Sequence, residues 1–220
     1  MQKENSISNN KIQVIGKISS AFTFSHQVYG EGFYNFCVGV QRLSDVDDIL
    51  PITVSERLSN PDSLPMGTRV RINGQIRSYN NTDNAQGTKN KLILTIFARE
   101  IEVLDQPEDK FKNPNDVFLS GYICKSPVYR QTPFGREITD ILLAVNRAYN
   151  KSDYIPCIAW GRNSRYAGGL GVGENIKIWG RMQSRDYQKK YEDGSIEDRV
   201  AYEVSIAKLE SKDESNDYAD

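Results

Sequence analysis

An all-β chain of two tandem five-stranded Greek-key barrels is what this 220-residue sequence predicts, and two observations carry that reading. Short β-branched and apolar runs recur between Gly, Pro, Asn and Asp with little helical periodicity. The same pattern then restarts halfway along the chain in matched register. Gly16 and Gly121, Arg42 and Arg147, and Pro51 and Pro156 are each 105 positions apart, and Gly74 and Gly180 are 106 apart. The contexts match as well: VIGKI with LSGYI, VGVQR with LAVNR, VRINGQIRS with IKIWGRMQS. Constant offsets with one inserted residue are the mark of an internal duplication.

Residues 1–11 are polar and read as a frayed terminus. The first unit, 12–104, shows strand runs at Ile12–Ile18, Phe33–Val40, Ile49–Val54, Val70–Ile76 and Leu92–Val103, with a helical turn expected within Ser55–Leu64. DQPEDKFKNPND, residues 105–116, is charged and carries two prolines, the composition of a linker. The second unit, 117–210, repeats the runs at Val117–Ile123, Ile138–Tyr149, Tyr154–Trp160, Asn175–Met182 and Val200–Leu209. Five strands with a longer third connection fit the OB-fold; an immunoglobulin-like sandwich would need about seven. Residues 211–220, SKDESNDYAD, are too polar and acidic to contribute a core and read as a disordered tail.

Charge excludes bulk polycation binding. The chain has 28 Lys+Arg against 29 Asp+Glu; residues 1–112 carry 13 of each sign, and residues 113–210 carry 14 basic and 12 acidic. A nucleic-acid footprint must therefore be a local patch. Cys37, Cys124 and Cys157 are isolated and His26 is the only histidine, so neither a zinc site nor any other metal or cofactor is expected. The odd cysteine count, the lack of a signal-peptide pattern and the lack of a long apolar run point to a cytoplasmic protein without a membrane segment. A nuclease would need converging carboxylates with a metal or general base, whereas the acidic residues here fall mostly in turns. The expected class is a binding protein and not an enzyme.

One stretch concentrates the candidate chemistry. Residues 140–187 interleave strand runs with aromatics and cations, a mixture suited to stacking bases and holding phosphates without reading sequence. Alternation along DYIPCIAW places Tyr154, Pro156, Ile158 and Trp160 on one face and Ile155, Cys157 and Ala159 on the core face. Asp193-Gly194 marks a hairpin turn that puts Lys189 and Lys190 on a projecting arm.

TPFGREITDILLAVNRAY, DYIPCIAWGR, LGVGENIKIWGRMQSRDY and RVAYEVSIAKLE, in that order, resemble the bacterial single-stranded DNA-binding protein family, here in a tandem double-barrel form. That resemblance spans the second unit. It implies base stacking on Tyr149, Tyr154, Trp160 and Tyr187, with Arg147, Lys151, Arg162, Arg165, Arg181, Arg185, Lys189 and Lys190 flanking them as phosphate contacts. The family assembles four barrels, so the resemblance implies a homodimer, with work in DNA replication, recombination or repair. The family's long linker and apolar tail tip are missing here, which leaves the usual replication and repair partners unassigned. In the first unit the matched positions are Ser44, Ile49 and Ser55, beside Asp45, Asp47 and Asp48; only Tyr79 answers to Tyr187. The first barrel is thus expected to serve assembly, or to bind through Phe33, Tyr34 and Tyr29 in another register. The alternative for the whole chain is a primosome-type assembly factor whose aromatics pack against protein.

Overall fold

In the computed structural model, which describes residues 9–42, 44, 46–59, 63–81, 91–105, 113–191 and 193–211, twelve strands and one short helix follow one another. They are β1 (Asn10–Ile18), β2 (Thr23–Val28), β3 (Glu31–Gln41), β4 (Asp47–Ser55), β5 (Arg69–Asn81), β6 (Lys91–Val103), β7 (Asn115–Ile123), β8 (Val128–Gln131), β9 (Glu137–Arg147), β10 (Lys151–Trp160), α1 (Arg162–Gly168), β11 (Asn175–Lys190) and β12 (Ile196–Ser211). The chain forms two compact units. The first contains Ile12–Asp116 and Met182–Glu203, and the second contains Val117–Arg181 with the described residues from Val204 onward and those up to Lys11. Among the described residues no helix is long and apolar enough to cross a membrane.

Both units are OB-folds, and their strand registers repeat residue by residue. In the first, β1 pairs antiparallel with β5 and then passes to β3 through Lys17↔Gly39 and Ile18↔Val38. In the second, β7 pairs with β11 and passes to β9 through Tyr122↔Ala144 and Ile123↔Leu143, the same positions 105 residues on. The parallel pairs that complete the two barrels match too: Ile52↔Ile96 and Thr53↔Phe97 in one, Cys157↔Val204 and Ile158↔Ser205 in the other. Inward residues are aliphatic and fully covered, among them Ile52, Ile72, Ile76 and Ile96 in the first barrel and Leu119, Leu143, Ile155 and Ile176 in the second. Their period of two is what made the strands legible.

Closure needs a residue without a side chain. A Cβ on Gly16 would lie 2.2 Å from the Gly39 carbonyl oxygen, and one on Gly121 would lie 2.4 Å from that of Ala144. Gly74 and Gly180 meet carbonyl oxygens at similar range, at Phe97 and Ser205. The glycines that mark the duplication are therefore the points where strands cross too closely for any other residue.

A buried carboxylate is repeated as well. Asp48, with a side chain 1% exposed, takes Arg42 Nε at 2.9 Å and Nη2 at 2.5 Å. It also accepts the Ser184 backbone N–H at 2.8 Å, while Arg42 Nη2 donates to the Ser184 carbonyl at 2.7 Å and Ile49 N–H donates to Ser184 Oγ at 3.0 Å. In the second barrel the equivalent Asp153 is equally buried, with Arg147 Nη1 at 3.5 Å. Buried charge is tolerated only when partnered. Asp48, which the sequence places in the connection with Asp45 and Asp47, is an interior ion-pair partner.

Several boundaries differ from expectation for physical reasons. Each barrel gains a sixth strand, β2 and β8, whose residues are all exposed and so show no apolar alternation. Asn10 and Lys11 already belong to β1, with Asn10 buried, and Asn115 and Asp116 to β7, where Asn115 exchanges hydrogen bonds with the Met182 backbone. β9 stops at Arg147 because Arg147 pairs with Lys151, which leaves Ala148–Asn150 as the turn. β11 runs on to Lys190 and is followed by the turn at Asp193-Gly194, where Gly194 has φ 82° and Asp193 accepts from Ser195 N and Oγ. Residues 56–58 form a turn in which the Leu58 and Ser59 N–H groups donate to the Ser55 carbonyl at 3.0 and 3.3 Å, Ser63 is in 3₁₀ conformation, and 60–62 lie outside the described residues. So do 1–8, most of the expected linker (106–112), Asp45 and the tail from 212.

Gly121→Ala should destabilise the protein by about 3 kcal/mol, because backbone must move to relieve the clash. Gly169→Ala, where a Cβ meets its nearest neighbour at 3.5 Å, should stay within about 0.5 kcal/mol of wild type in the same urea titration.

Candidate nucleic-acid interface

The outer face of the second barrel carries three of the four expected stacking residues. β10 sits between β9 and β12, and along it Ile155, Cys157 and Ala159 point inward while Tyr154 and Trp160 are 46% and 38% exposed. Ile158 lies on the Tyr154 side yet is only 4% exposed. Its neighbours across the sheet, Asp140 on β9 and Ser205 on β12, flank it on both sides, so a central-strand side chain is covered without pointing inward. α1 packs against β9 and β10 through Ser164 and Ala167; Thr139 Oγ1, itself buried, donates to the Ser164 carbonyl at 2.8 Å. That helix holds Arg162 and Arg165 beside the end of β10.

Tyr149 occupies the tip of the β9–β10 hairpin, 94% exposed, at φ 62°, followed by Asn150 at φ 54°. An Asn tolerates this left-handed region; a Tyr does so at a cost. The strain is a local feature with no packing gain, since the ring touches solvent. A strained, exposed aromatic points to a role outside folding.

The expected cations divide into engaged and available groups. Arg147 is committed to Asp153. Arg165 Nε lies 2.7 Å from Glu137 Oε2, and Glu137 also accepts the Tyr129 hydroxyl at 2.8 Å. Those two hydrogen bonds, the Tyr129 one foremost, hold the Glu137 carboxyl below its ordinary pKa, and the Glu137 bond raises both Tyr129 and Arg165. Arg181 is half-buried and partnered. Among the described residues Lys151, Arg162 and Lys190 are exposed and have no ion-pair partner.

Tyr187, Arg185, Lys189 and Lys190 fall within Met182–Glu203 and so belong to the first compact unit. There Arg185 lies over the Tyr187 ring at 5.8 Å and 3.6 Å from Glu203, and Lys189 lies over Tyr191 at 4.6 Å. Arg199, 15% exposed, donates to the Tyr191 hydroxyl at 2.7 Å and to Glu197 at 2.8 Å, and the Glu197 bond raises its pKa. Tyr187 is half-buried in that cation-rich hairpin. The first barrel's own aromatics contact one another: Phe33 stacks on His26 at 4.9 Å and meets Phe97 at 5.9 Å, Arg99 lies over Phe97, and Tyr34 meets Phe24 edge-on. Tyr29 is fully exposed at φ 49° and Tyr79 is 48% exposed.

Sequence reasoning passed over other aromatics of the second barrel, Tyr166 at 49% exposure among them. Tyr122 is 45% exposed on β7 and Phe134 is 93% exposed in the β8–β9 loop. Tyr129 is tied to Glu137, and Trp179 packs on Phe118 under Lys208. Alternation in LSGYI, with Ile123 in the core, was the available signal for Tyr122.

Residues 114–211 match the Single-strand binding protein family. The single-stranded DNA-binding protein A of Bacillus subtilis (strain 168) is 34% identical over 83 residues, covering 34% of this chain and 48% of that protein. The single-stranded DNA-binding protein of Bacillus cereus is 35% identical over 81 residues. The chain spans about half the length of the curated relatives it matches. The crystal structure of the wild-type single-stranded DNA binding protein from Thermus aquaticus superposes with a TM-score of 0.70 at 18% identity, covering 92% of each chain, which establishes the two-barrel fold.

Tyr149→Gly should raise stability by about 0.5–1 kcal/mol by relieving the positive-φ strain. Urea denaturation checks it; a loss of stability would show that the ring contributes to the fold.

Proposed function

We propose that this chain, whose residues 114–211 are a domain of the Single-strand binding protein family, captures single-stranded DNA without reading its sequence. The observation that carries this reading is the exposed trio Tyr149, Tyr154 and Trp160 on one barrel, at positions where the other barrel of the same fold has Ser44, Ile49 and Ser55. Closure of the barrel does not require those rings, and bases stack on aromatic faces whatever their identity. Lys151 and Arg162, exposed and without an ion-pair partner among the described residues, are placed to take phosphates beside them. Lys190 and the Arg185–Tyr187 pair offer the same two contacts on the β11–β12 hairpin. Arg165 can reach phosphate only by leaving Glu137, and Arg147 and Arg181 act as supports. No bond is made or broken.

The first barrel serves assembly in this reading, and two chains supply a four-barrel homodimer. The setting is DNA replication, recombination or repair in the cytoplasm.

Trp160 and Trp179 are the chain's two tryptophans. Adding oligo-dT should quench the fluorescence of the wild type, and Trp160→Ala should remove most of that quench while costing about 1–3 kcal/mol of binding. An unchanged spectrum with no gel shift at low salt would refute the proposal.

A further inference from the structure

Tyr122 and Tyr154 flank one small residue on the same face of the sheet. Both pair with Ala144, Tyr122 from β7 and Tyr154 from β10, so the three form a single row on the outer face of the second barrel. Residues directly paired across strands share a face. The tyrosines are 45% and 46% exposed, and Ala144 between them offers only a methyl group. Two strand spacings separate their Cα atoms, about 10 Å. Stacked aromatic planes take up about 3.5 Å each, so the gap takes one flat ring system and not two, with both tyrosine rings turning in to close on it. The next row toward the C-terminus of β10 is Leu142↔Pro156, an apolar end wall. Lys177 is the next outward residue after Asn175, the β11 partner of Tyr122, and it is exposed without an ion-pair partner among the described residues.

The first barrel shows that this row is not a requirement of the fold. Its equivalent is Lys17, Gly39 and Ile49, in the same register. The strand crossing needs Gly16 and Gly121, and it places no demand on the residue that follows each.

We infer that Tyr122, Ala144 and Tyr154 form a slot that takes one unstacked nucleobase, with Tyr122 as a stacking residue and Lys177 positioned for the neighbouring phosphate. This rests on the single-stranded DNA reading above and extends the binding track onto β7. The slot is sequence-tolerant, because ring faces and a methyl floor recognise any base by shape.

The test is the affinity of the full chain for a dT oligomer, measured by fluorescence anisotropy of a label on the DNA. Tyr122→Ala should weaken binding roughly 5- to 150-fold, and Tyr122→Phe should restore it to within about threefold, since the ring and not the hydroxyl does the stacking. Ala144→Leu, which fills the floor and leaves both rings, should weaken binding as Tyr122→Ala does. Because both rings hold one base, the Tyr122→Ala/Tyr154→Ala double variant should lose less than the product of the single losses. Circular dichroism and the unfolding midpoint confirm that each variant is folded. If Tyr154→Ala weakens binding while Tyr122→Ala and Ala144→Leu bind like the wild type, the slot is wrong and the single-stranded DNA reading stands. A double variant whose loss equals the product overturns the shared base. Failure of the wild type to bind overturns both readings.

Discussion

The close crossing at Gly16 and Gly121 is the constraint on which both barrels depend. Each glycine lets the first strand of its barrel leave one partner and join another, with a carbonyl oxygen where a Cβ would stand. Once that crossing is set, the register of every neighbouring strand follows. Period-two alternation then decides which side chains look into the core and which look out. The outer rows of the two barrels are therefore superimposable in register and differ only in what they carry: Lys17, Gly39 and Ile49 in one, Tyr122, Ala144 and Tyr154 in the other. Comparing a barrel with its own repeat separates residues that the fold demands from residues that serve something else.

That comparison applies to Arg147 in the opposite direction. Arg42 and Arg147 marked the duplication, and Arg147 was also expected to hold phosphate. In the fold both arginines serve buried carboxylates, Asp48 and Asp153, which are themselves 105 residues apart. The ion pair is a repeated structural element. An aspartate six residues after each arginine was legible in the sequence, but acidic residues in a connection read as solvated until their burial is known.

Most of the fold was open to sequence reasoning, since ten strands alternate between a covered and an uncovered face. β2 and β8 were not, because an edge strand exposed on both faces has no alternation to read. α1 spans only seven residues and buries two, too little to set up a helical period. Of the site, Tyr149, Tyr154 and Trp160 lie exposed on one barrel. The state of each cation was hidden, because an arginine in a basic stretch gives no sign that Glu137 or Glu203 already neutralises it. Tyr122 was legible only through the alternation that puts Ile123 in the core, because the first barrel has Lys17 at the matched position and so offers no aromatic to compare.

In the proposed function, bases stack on the aromatic outer face of the second barrel. Photocrosslinking the full chain to oligonucleotides carrying 5-bromodeoxyuridine, with the attachment sites mapped by mass spectrometry, tests it most directly. Crosslinks to Tyr149, Tyr154 and Trp160 are the expected result. Crosslinks confined to aromatics of the first barrel such as Phe33 and Tyr29, or efficient binding with none on the second barrel, would contradict it.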